Sequence, residues 1–263
     1  MSEVRAAKSL GQHFLRDEGV IARMVAEIDP RPGDSIVEIG PGLGALTLPV
    51  LERCKAMTAI EFDTRVLDIL ARKAKPHGEL TLIHEDVLNV DLAALPLAKP
   101  LRLIGNLPYN LSSPILFYCL AARAVIADMH FMLQKEVVER IVADPGSKAY
   151  GRLGIMIQQQ CDTEWLIDIS PDAFDPPPKV DSAVVRLVPL AAPRWPVADD
   201  AAFALLVRTA FGQRRKMVRK SLGQWFDGAD FADLDIDPTA RAENLHGSDF
   251  AALAQRMLEK KHE

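Results

Sequence analysis

Short apolar runs alternate with amphipathic stretches along the first half of the chain. We interpret five of these runs as buried strands, at residues 35–39, 56–60, 80–83, 101–104 and 127–133. Helical spacing of apolar residues predicts helices over residues 64–74 and 114–122, and an earlier helix over residues 18–28. Repeated strand-then-helix units of this kind predict an α/β fold with a parallel, doubly wound sheet and helices on both of its faces.

The pattern changes in the second half of the chain. Two short strands are predicted at residues 165–169 and 183–188, and helical spacing then returns over residues 201–210, 216–225 and 249–259. Prolines cluster just before this last group of helices, which is typical of a domain boundary. The sequence therefore predicts two domains: an α/β domain with an N-terminal arm over residues 1–190, and a small all-helical domain over residues 191–263.

The composition is that of an ordinary globular protein. Of the 263 residues, 49% are hydrophobic and 25% are charged, and no apolar run is long enough to span a membrane. The first residues do not resemble a signal peptide, and the cysteines, Cys54, Cys119 and Cys161, are too widely spaced for a metal-binding or CxxC pattern. We therefore predict a cytoplasmic monomer that has reduced thiols and binds neither a metal nor a membrane.

The net charge of −5 hides a local excess of positive charge. No acidic residue lies between Ala201 and Trp225, whereas six basic residues do: Arg208, Arg214, Arg215, Lys216, Arg219 and Lys220. A basic patch on an acidic protein can bind the phosphates of a nucleic acid. A solvated helix face is the commoner reason for such a run, so the charge alone does not decide between the two.

A glycine-rich turn, with Gly40 and Gly42, follows the first predicted strand. Glycines permit a tight turn and a close approach of a ligand, although such a turn alone is weak evidence of a site. Glu61, at the end of the second strand, can accept both hydroxyls of a ribose. Asp86, after the third strand, can accept from an adenine N6. These three strand ends predict an adenosine-type cofactor, either NAD or S-adenosylmethionine.

An amide, a proline and an aromatic ring follow the fourth predicted strand, in the sequence Asn106, Leu107, Pro108, Tyr109. The amide oxygen and a backbone carbonyl can accept the N–H groups of an amine-bearing base, and the tyrosine ring can stack on that base. An enzyme that transfers hydride would instead need a proton donor at this strand end. The turn therefore favours S-adenosylmethionine as the cofactor and methyl transfer to a nucleobase amine as the reaction.

With these motifs in this order, the chain resembles the ribosomal RNA adenine N6,N6-dimethyltransferase family, and in particular its bacterial small-subunit members. The segments that carry the resemblance lie at residues 8–15, 38–44, 60–61, 85–87, 105–109, 134–137, 174–182, 210–211 and 214–216. Individually several of these segments are common, but together and in order they are highly specific.

The resemblance implies a fold, a reaction and partners. The fold would be the Rossmann-like sheet of S-adenosylmethionine-dependent methyltransferases, followed by a small helical RNA-binding domain. The reaction would transfer methyl groups to N6 of two adjacent adenosines near the 3′ end of small-subunit (16S) ribosomal RNA. The partner would be that RNA or a pre-30S particle, with a role in small-subunit biogenesis.

The resemblance also implies roles for single residues. The cofactor-binding residues would be His13, Leu15, Gly40, Gly42, Glu61, Asp86 and Asn106. The catalytic residues would be Asn106, Leu107, Pro108, Tyr109 and Phe174, and RNA would be bound by Arg214, Arg215, Lys216, Arg219 and Lys220. Phe174 would supply a second aromatic face opposite Tyr109. His13 occupies a position at which many relatives carry asparagine, so a hydrogen bond made there would be lost, changed or dependent on pH.

Three other functions fit parts of the same pattern. Methyltransferases that confer antibiotic resistance modify adenine N6 of large-subunit ribosomal RNA, but segment 176–182 and the helical region after Trp195 favour the small-subunit type. A non-catalytic ribosome-assembly factor would not need the intact turn at 106–109 together with Glu61 and Asp86. DNA adenine methyltransferases usually carry two prolines in this turn, whereas Leu107 takes the place of the first one here.

Overall fold

The computed structural model describes residues 13–262, and its largest element is a seven-stranded sheet. In chain order its strands are β2 (Ile36–Ile39), β3 (Ala56–Glu61), β4 (Glu79–His84), β5 (Leu101–Asn106), β6 (Ile126–Gln134), β7 (Cys161–Ile169) and β9 (Ser182–Pro189). Their spatial order is β4-β3-β2-β5-β6-β9-β7. A separate pair joins β1 (Phe14–Leu15) to β8 (Phe174–Asp175) in antiparallel pairing. The sheet has helices on both sides, which confirms the predicted α/β class.

The sheet is mixed rather than wholly parallel. β4, β3, β2, β5 and β6 are parallel neighbours, and their bounds lie within two residues of the predicted strands. β9, however, runs antiparallel to β6, with Gln134 opposite Ser182 and Met129 opposite Leu187. The prediction of a parallel sheet is therefore wrong at this edge. In the sheet β9 lies between β6 and β7, and along the chain it follows β7 without an intervening α-helix. The strand-helix-strand rule that predicted parallel neighbours therefore does not apply to β9.

The helices near the parallel strands are α1 (Glu18–Ile28), α2 (Thr47–Cys54), α3 (Thr64–Ala74) and α4 (Ser112–Ala121). Two of them begin at acidic caps, since the Asp17 carboxylate accepts from the amide of Val20 and the Asp63 carboxylate from that of Arg65. Such caps satisfy amide groups that have no partner within the helix. α1 and α3 have the bounds that the apolar spacing predicted, because cap and periodicity agree in both.

The chain divides into two compact units, and it passes between them three times. The first unit comprises Met1–Val138 and Glu164–Pro189, and the second comprises Glu139–Thr163 and Leu190–Glu263. The sequence predicted one boundary near residue 190, but no sequence pattern indicated that the segment Glu139–Thr163 belongs to the second unit. That segment contains α6 (Arg152–Gln158), whose Ile155 is buried in the same apolar cluster as Phe203 and Phe250 of the second unit.

The second unit is built around that apolar cluster. Its further helices are α7 (Asp200–Gly212), α8 (Val218–Ser221), α9 (Gly228–Asp233) and α10 (Gly247–His262), and α5 (Lys135–Val142) spans the division between the units. The helix predicted over residues 216–225 is much shorter in the structure. Met217 pairs with Arg241 in an isolated bridge, and Gly223 is a poor helix former, so only the turn between them is helical.

Residues 8–12 of the predicted N-terminal arm lie outside the part of the chain that the structure describes. Within residues 13–262, no helix is both long enough and apolar enough to cross a membrane. The same residues contain no group of three or more His, Cys, Asp or Glu side chains that could hold a metal ion.

Candidate functional site

One cleft of about 500 Å³ lies at the carboxyl ends of the parallel strands. β4, β3, β2 and β5 are adjacent, so the residues that follow them meet at one edge of the sheet, where open α/β sheets bind ligands. The predicted site residues in its lining are His13, Leu15, Gly40, Gly42, Glu61, Asp86, Asn106, Leu107, Pro108 and Tyr109. The structure therefore brings together the residues assigned to the cofactor and to the base, with the exception of Phe174.

The turn after β2 has glycine where its backbone takes positive φ angles. Gly40 has a φ of 69° and Gly42 a φ of 53°, a region that side chains other than glycine rarely adopt. A Cβ atom on Gly42 would also lie 3.3 Å from the Phe14 ring. The turn thus lines the cleft without a side chain at Gly40 or Gly42.

Glu61 ends β3 and is held by the backbone around it. Its Oε2 accepts from the amide of Gly42 at 3.1 Å, and its Oε1 accepts from the amide of Asp63 at 2.8 Å. Burial raises the pKa of Glu61, and these two hydrogen bonds oppose the rise. The carboxylate is therefore fixed beside the glycine turn, and the lone pairs that remain on its oxygens can accept from ligand hydroxyls.

Glu38 is a further acid of the cleft to which the sequence assigned no role. It lies in β2 between Val37 and Ile39, its exposed fraction is only 2%, and its Oε2 has no hydrogen-bond partner among the described residues. Burial raises the pKa of Glu38 to about 8; Thr47 opposes this rise and Glu61 adds to it. A single acid in an apolar strand was the signal that could have identified it, because buried charges are rare without a partner.

Asp86 has a structural role and also faces the cleft. Its Oδ1 accepts from the amide of Leu88 at 3.0 Å and so caps the 3₁₀ turn Val87–Asn89. The cap is a structural role for Asp86. It does not exclude a functional one, because a carboxylate offers more acceptor positions than one cap uses.

Asn106, the last residue of β5, is oriented by the N-terminal segment. Its Nδ2 donates to the backbone carbonyl of His13 at 3.2 Å. A carbonyl oxygen can only accept, so the amide presents its nitrogen to His13, and its oxygen is the acceptor that remains for a ligand. The next residue is anchored too, because the amide of Leu107 donates to the carbonyl of Met132 at 3.1 Å.

Tyr109 is fixed at both its hydroxyl and its ring. Its hydroxyl lies 2.6 Å from the Oγ of Ser182, and its ring stacks on the imidazole of His13 with centroids 5.7 Å apart and planes at 25°. The Nδ1 of His13 in turn donates to the carbonyl of Pro176 at 2.7 Å. Ser182 and Pro176 belong to the segment 174–182 that carries the resemblance, but neither was assigned a role from the sequence.

Phe174 does not line the cleft. Its exposed fraction is 4%, and it packs in the apolar cluster that includes Leu15, Met24 and Ile104. The expected open aromatic face opposite Tyr109 is therefore not present in this structure. The pairing of β8 with β1 sets Phe174 opposite Leu15, and burial of a phenylalanine ring is strongly favourable.

The predicted RNA-binding residues all belong to the second unit. Arg215, Lys216, Arg219 and Lys220 are exposed. Arg214 is engaged within the unit, since its Nε donates to the Glu243 carboxylate at 2.8 Å and its Nη2 to the carbonyl of Lys148 at 2.6 Å. Arg214 therefore holds the loop around Lys148 in place and is less available to a phosphate than its neighbours.

Comparison with known proteins decides the family. The family model described as ribosomal RNA adenine dimethylase matches residues 4–259. The chain belongs to this family. A relative from Dichelobacter nodosus, named ribosomal RNA small subunit methyltransferase A, is 57% identical over 99% of this chain and 98% of its own length. A relative of the same name from Xanthomonas oryzae is 54% identical over 95% of both chains.

Solved structures show the same fold. The chain is similar to a dimethyladenosine transferase from Plasmodium falciparum, with a TM-score of 0.79 and 24% identity over 92% of this chain and 96% of that chain. It is also similar to the 23S rRNA methyltransferase ErmE, with a TM-score of 0.73 and 27% identity over 93% of this chain and 99% of that chain. The Rossmann-like methyltransferase fold predicted from the sequence is thereby confirmed.

As a ribosomal RNA adenine dimethylase, the chain is an enzyme that acts on ribosomal RNA with S-adenosylmethionine as its methyl donor. The cleft fits this donor on two observations. The glycine turn lines the cleft without a side chain at two positions of positive φ, and the buried Oε2 of Glu38, also in the lining, lacks a partner among the described residues. A ligand that carries positive charge would supply such a partner.

Proposed function

We propose that the chain transfers methyl groups to N6 of two adjacent adenosines near the 3′ end of small-subunit (16S) ribosomal RNA. The observation that carries this proposal is that the cofactor-type acids and the turn at 106–109 line one cleft. The small-subunit substrate is supported by the names of relatives that are 54–57% identical over nearly the whole chain.

Different strand ends would hold different parts of the donor. Gly40 and Gly42 would approach its amino-acid part through their backbone, and Glu61 would accept from the ribose hydroxyls. Asp86 would accept from the adenine amine through a carboxylate oxygen that its cap does not use. His13 and Leu15 would complete the lining from the N-terminal segment. When bound, the donor supplies an electrophilic methyl group on a sulfonium.

Asn106 and Leu107 would make the adenine amine reactive. The N6 lone pair of adenine is delocalised into the ring, so it is a weak nucleophile. The Asn106 side-chain oxygen and the Leu107 backbone carbonyl would accept the two N6 hydrogens and stabilise the nitrogen as it becomes tetrahedral. The Asn106 amide is already oriented for this role by its bond to His13, so positioning supplies much of the effect.

Tyr109 would stack on the extruded adenine. Pro108 has no amide hydrogen and has a φ of −60°, which stiffens the turn before the ring. Burial raises the pKa of Tyr109, so the ring that meets the base is neutral. The His13 imidazole lies in stacking contact with Tyr109, so an adenine on that same face would have to replace it.

The second unit would bind the RNA backbone through its exposed cations, Arg215, Lys216, Arg219 and Lys220. We further propose that the chain acts as a cytoplasmic monomer on a pre-30S particle, with a role in small-subunit biogenesis. An RNA of this size presents phosphates far outside the cleft, which is why a separate basic surface would help to place the target base.

Mass spectrometry of ribosomal RNA from cells that lack this protein tests the substrate. We expect dimethyladenosine to disappear from the small-subunit RNA and to return on complementation. Loss from the large-subunit RNA would instead support the activity named for ErmE, and unchanged methylation of both RNAs would support a non-catalytic assembly factor.

The Asn106→Ala variant tests the site. We expect the methylation rate to fall by roughly 100-fold or more, the scale seen when one such donor or acceptor is removed from an active site, because the adenine amine loses its side-chain acceptor. S-adenosylmethionine affinity, measured by calorimetry, should change much less. A methylation rate within a few-fold of wild type would refute the role of Asn106.

A further inference from the structure

The segment Glu139–Thr163, which belongs to the second unit, brings a further cation to that unit. Lys148 is exposed in the loop between α5 and α6. Among residues 13–262 no acid forms an ion pair with its ammonium group, and this includes Asp144 in the same loop. A solvated lysine is common on any surface, so the neighbours of Lys148 decide what it can bind.

Two backbone contacts fix the Lys148 loop beside the basic segment of the second unit. The Nη2 of Arg214 donates to the carbonyl of Lys148 at 2.6 Å. The amide of Gly146 donates to the carbonyl of Glu243 at 2.7 Å. Lys148 is thereby held next to Arg214 although the two residues are 66 positions apart.

The same loop is also anchored to the apolar cluster of its unit. Tyr150 is buried, and its ring meets that of Phe211 edge to face with centroids 6.2 Å apart. At the other end of the loop, the Nε2 of Gln158 donates to the carbonyls of Ile141 at 2.8 Å and Ala143 at 3.0 Å. The loop is therefore ordered in the absence of a ligand, and binding would not have to order its backbone.

The charges beside this loop are matched unequally. Arg214 forms an ion pair with Glu243, with Nε and the carboxylate oxygen 2.8 Å apart, so the charge of this arginine is compensated within the unit. Arg215 and Lys216 are exposed and have no such partner in the described part of the chain. The uncompensated cations around Arg214 are therefore Lys148, Arg215 and Lys216.

We propose that Lys148, Arg215 and Lys216 form one phosphate-binding surface for ribosomal RNA, and that Arg214 supports this surface by holding Lys148 in place. The three cations that bind phosphate are then not the three that are consecutive in the sequence. Arg214 is a positioning residue that does not contact the RNA. The inference rests on the proposed RNA-binding role of the second unit and adds to it a residue from a distant segment.

The chemistry of the three side chains suits this task. An ammonium group binds phosphate as a compact charge, and a guanidinium group can donate two parallel N–H groups to it. Contacts of this kind fix the position and orientation of a nucleic acid without reading its bases. The surface would therefore add affinity and help to place the RNA, whereas the cleft would select the adenine.

Fluorescence anisotropy on the full chain tests the surface, with a labelled RNA from the 3′-terminal region of small-subunit ribosomal RNA at several salt concentrations. We expect Lys148→Ala to lower the slope of log affinity against log salt by about 0.7 in magnitude, the value for one phosphate that is no longer neutralised. Lys148→Arg keeps the charge and should keep the slope. A wild-type slope in Lys148→Ala would overturn the proposal.

A double-mutant cycle tests the supporting role of Arg214. If Arg214 acts by holding Lys148, then Arg214→Ala should lower the slope about as much as Lys148→Ala, and the two changes together should lower it no further. Lys148→Ala retains the carbonyl that Arg214 contacts, so its effect belongs to the ammonium group. A loss of about 1.4 in the double variant, the sum for two independent phosphate contacts, would refute the supporting role.

Hydrogen exchange gives a second measurement that does not depend on RNA. In Arg214→Ala the amide of Gly146, which donates to the Glu243 carbonyl, should exchange faster because the loop has lost its tie to the basic segment. Unchanged exchange would show that Arg214 does not hold the loop. The result for Lys148→Ala decides the surface by itself if Arg214→Ala does not fold.

Two controls separate the ways in which the proposal could fail. Lys75→Ala removes an exposed cation from the first unit, and an equal fall of the slope there would show an effect of net charge only. The double variant Arg215→Ala with Lys216→Ala tests the RNA-binding role itself. If it lowers the slope and Lys148→Ala does not, that role stands and this inference fails; if neither lowers it, both fail.

Discussion

Tyr109 shows how one side chain can have two separable functions. Its ring faces the cleft and would stack on a base, while its hydroxyl lies within hydrogen-bonding distance of Ser182 at the start of β9. The first function needs an aromatic face, and the second needs a polar atom at a fixed position. Two substitutions can therefore distinguish them.

We expect Tyr109→Phe to retain most of the activity and Tyr109→Ala to lose most of it. The phenylalanine keeps the ring and loses only the bond to Ser182, whereas alanine also loses stacking worth about 1–3 kcal/mol per base. That corresponds to a fall of roughly 5- to 150-fold in kcat/KM for RNA. Steady-state methylation assays would measure it, and equal loss in both variants would place the function in the hydroxyl instead.

One glycine lies where two paired strands come close together beside the site. Gly105 lies in β5 directly before Asn106, and a Cβ atom added to it would lie 2.5 Å from the backbone carbonyl of Ile39 in β2. Backbone in a paired strand cannot move aside as a flexible side chain can. The tight packing of β2 against β5 thus fixes the distance between the glycine turn and the Asn106 turn.

We expect Gly105→Ala to lower the free energy of unfolding by about 1–3 kcal/mol, the usual cost of overpacking, and to lower activity by displacing Asn106. Urea denaturation would measure the loss. Gly212→Ala is the matched control, because a Cβ atom there would meet nothing within 4 Å. The control should be neutral or slightly stabilising; equal effects of both changes would contradict the packing argument.

The basic segment of the second unit is a turn followed by one helical turn, rather than a continuous helix. Arg214 is tied to Glu243 and to the Lys148 carbonyl, whereas Arg215 and Lys216 are exposed beside it. The position of a cation in this segment therefore decides whether that cation stabilises the second unit or is available to bind RNA.

We expect the double variant Arg215→Ala with Lys216→Ala to weaken RNA binding at low salt. The slope of log affinity against log salt should fall by about 1.4 in magnitude, or about 0.7 for each phosphate that is no longer neutralised. The double variant Arg53→Ala with Lys75→Ala removes the same charge from exposed positions of the first unit. An equal change of slope in this control would show an effect of net charge only.

At the scale of the whole molecule, the carboxyl and amino ends of the parallel strands have different roles. The carboxyl ends line the cleft. Near the amino end, Arg102 of β5 donates to the Asp128 carboxylate at 3.0 Å, to the Asp34 carboxylate at 2.7 Å and to the carbonyl of Ile28 at 2.6 Å. One strand therefore carries a stabilising arginine and, four residues later, the asparagine of the site.

We expect Arg102→Ala to lower the free energy of unfolding by about 3–5 kcal/mol, because it leaves two largely buried carboxylates without their cation. Thermal and urea denaturation would measure the loss. Arg31→Ala is the control, since its pair with Asp29 is exposed on both sides and such pairs contribute about 1 kcal/mol or less. Equal losses would show that burial of the pair is unimportant.

Local patterns were sufficient for the bounds of the parallel strands to within two residues, for the helices α1 and α3 and for the glycine turn. Each depends on periodicity, caps or backbone freedom within a few residues, which a sequence records directly. The same patterns placed Glu61, Asp86 and Asn106 at successive strand ends, and parallel pairing then required those ends to meet at one edge.

Long-range packing between distant segments decided the rest. Asn106 is oriented by a residue 93 positions away, and the Tyr109 hydroxyl meets one 73 positions away. Phe174 is a core residue because β8 pairs with β1. The Oε2 atom of Glu38 is buried without a hydrogen-bond partner among the described residues because neighbouring strands enclose it. Burial and orientation depend on this long-range packing, which a local pattern, such as the single acid in the apolar strand at Glu38, can indicate but cannot specify.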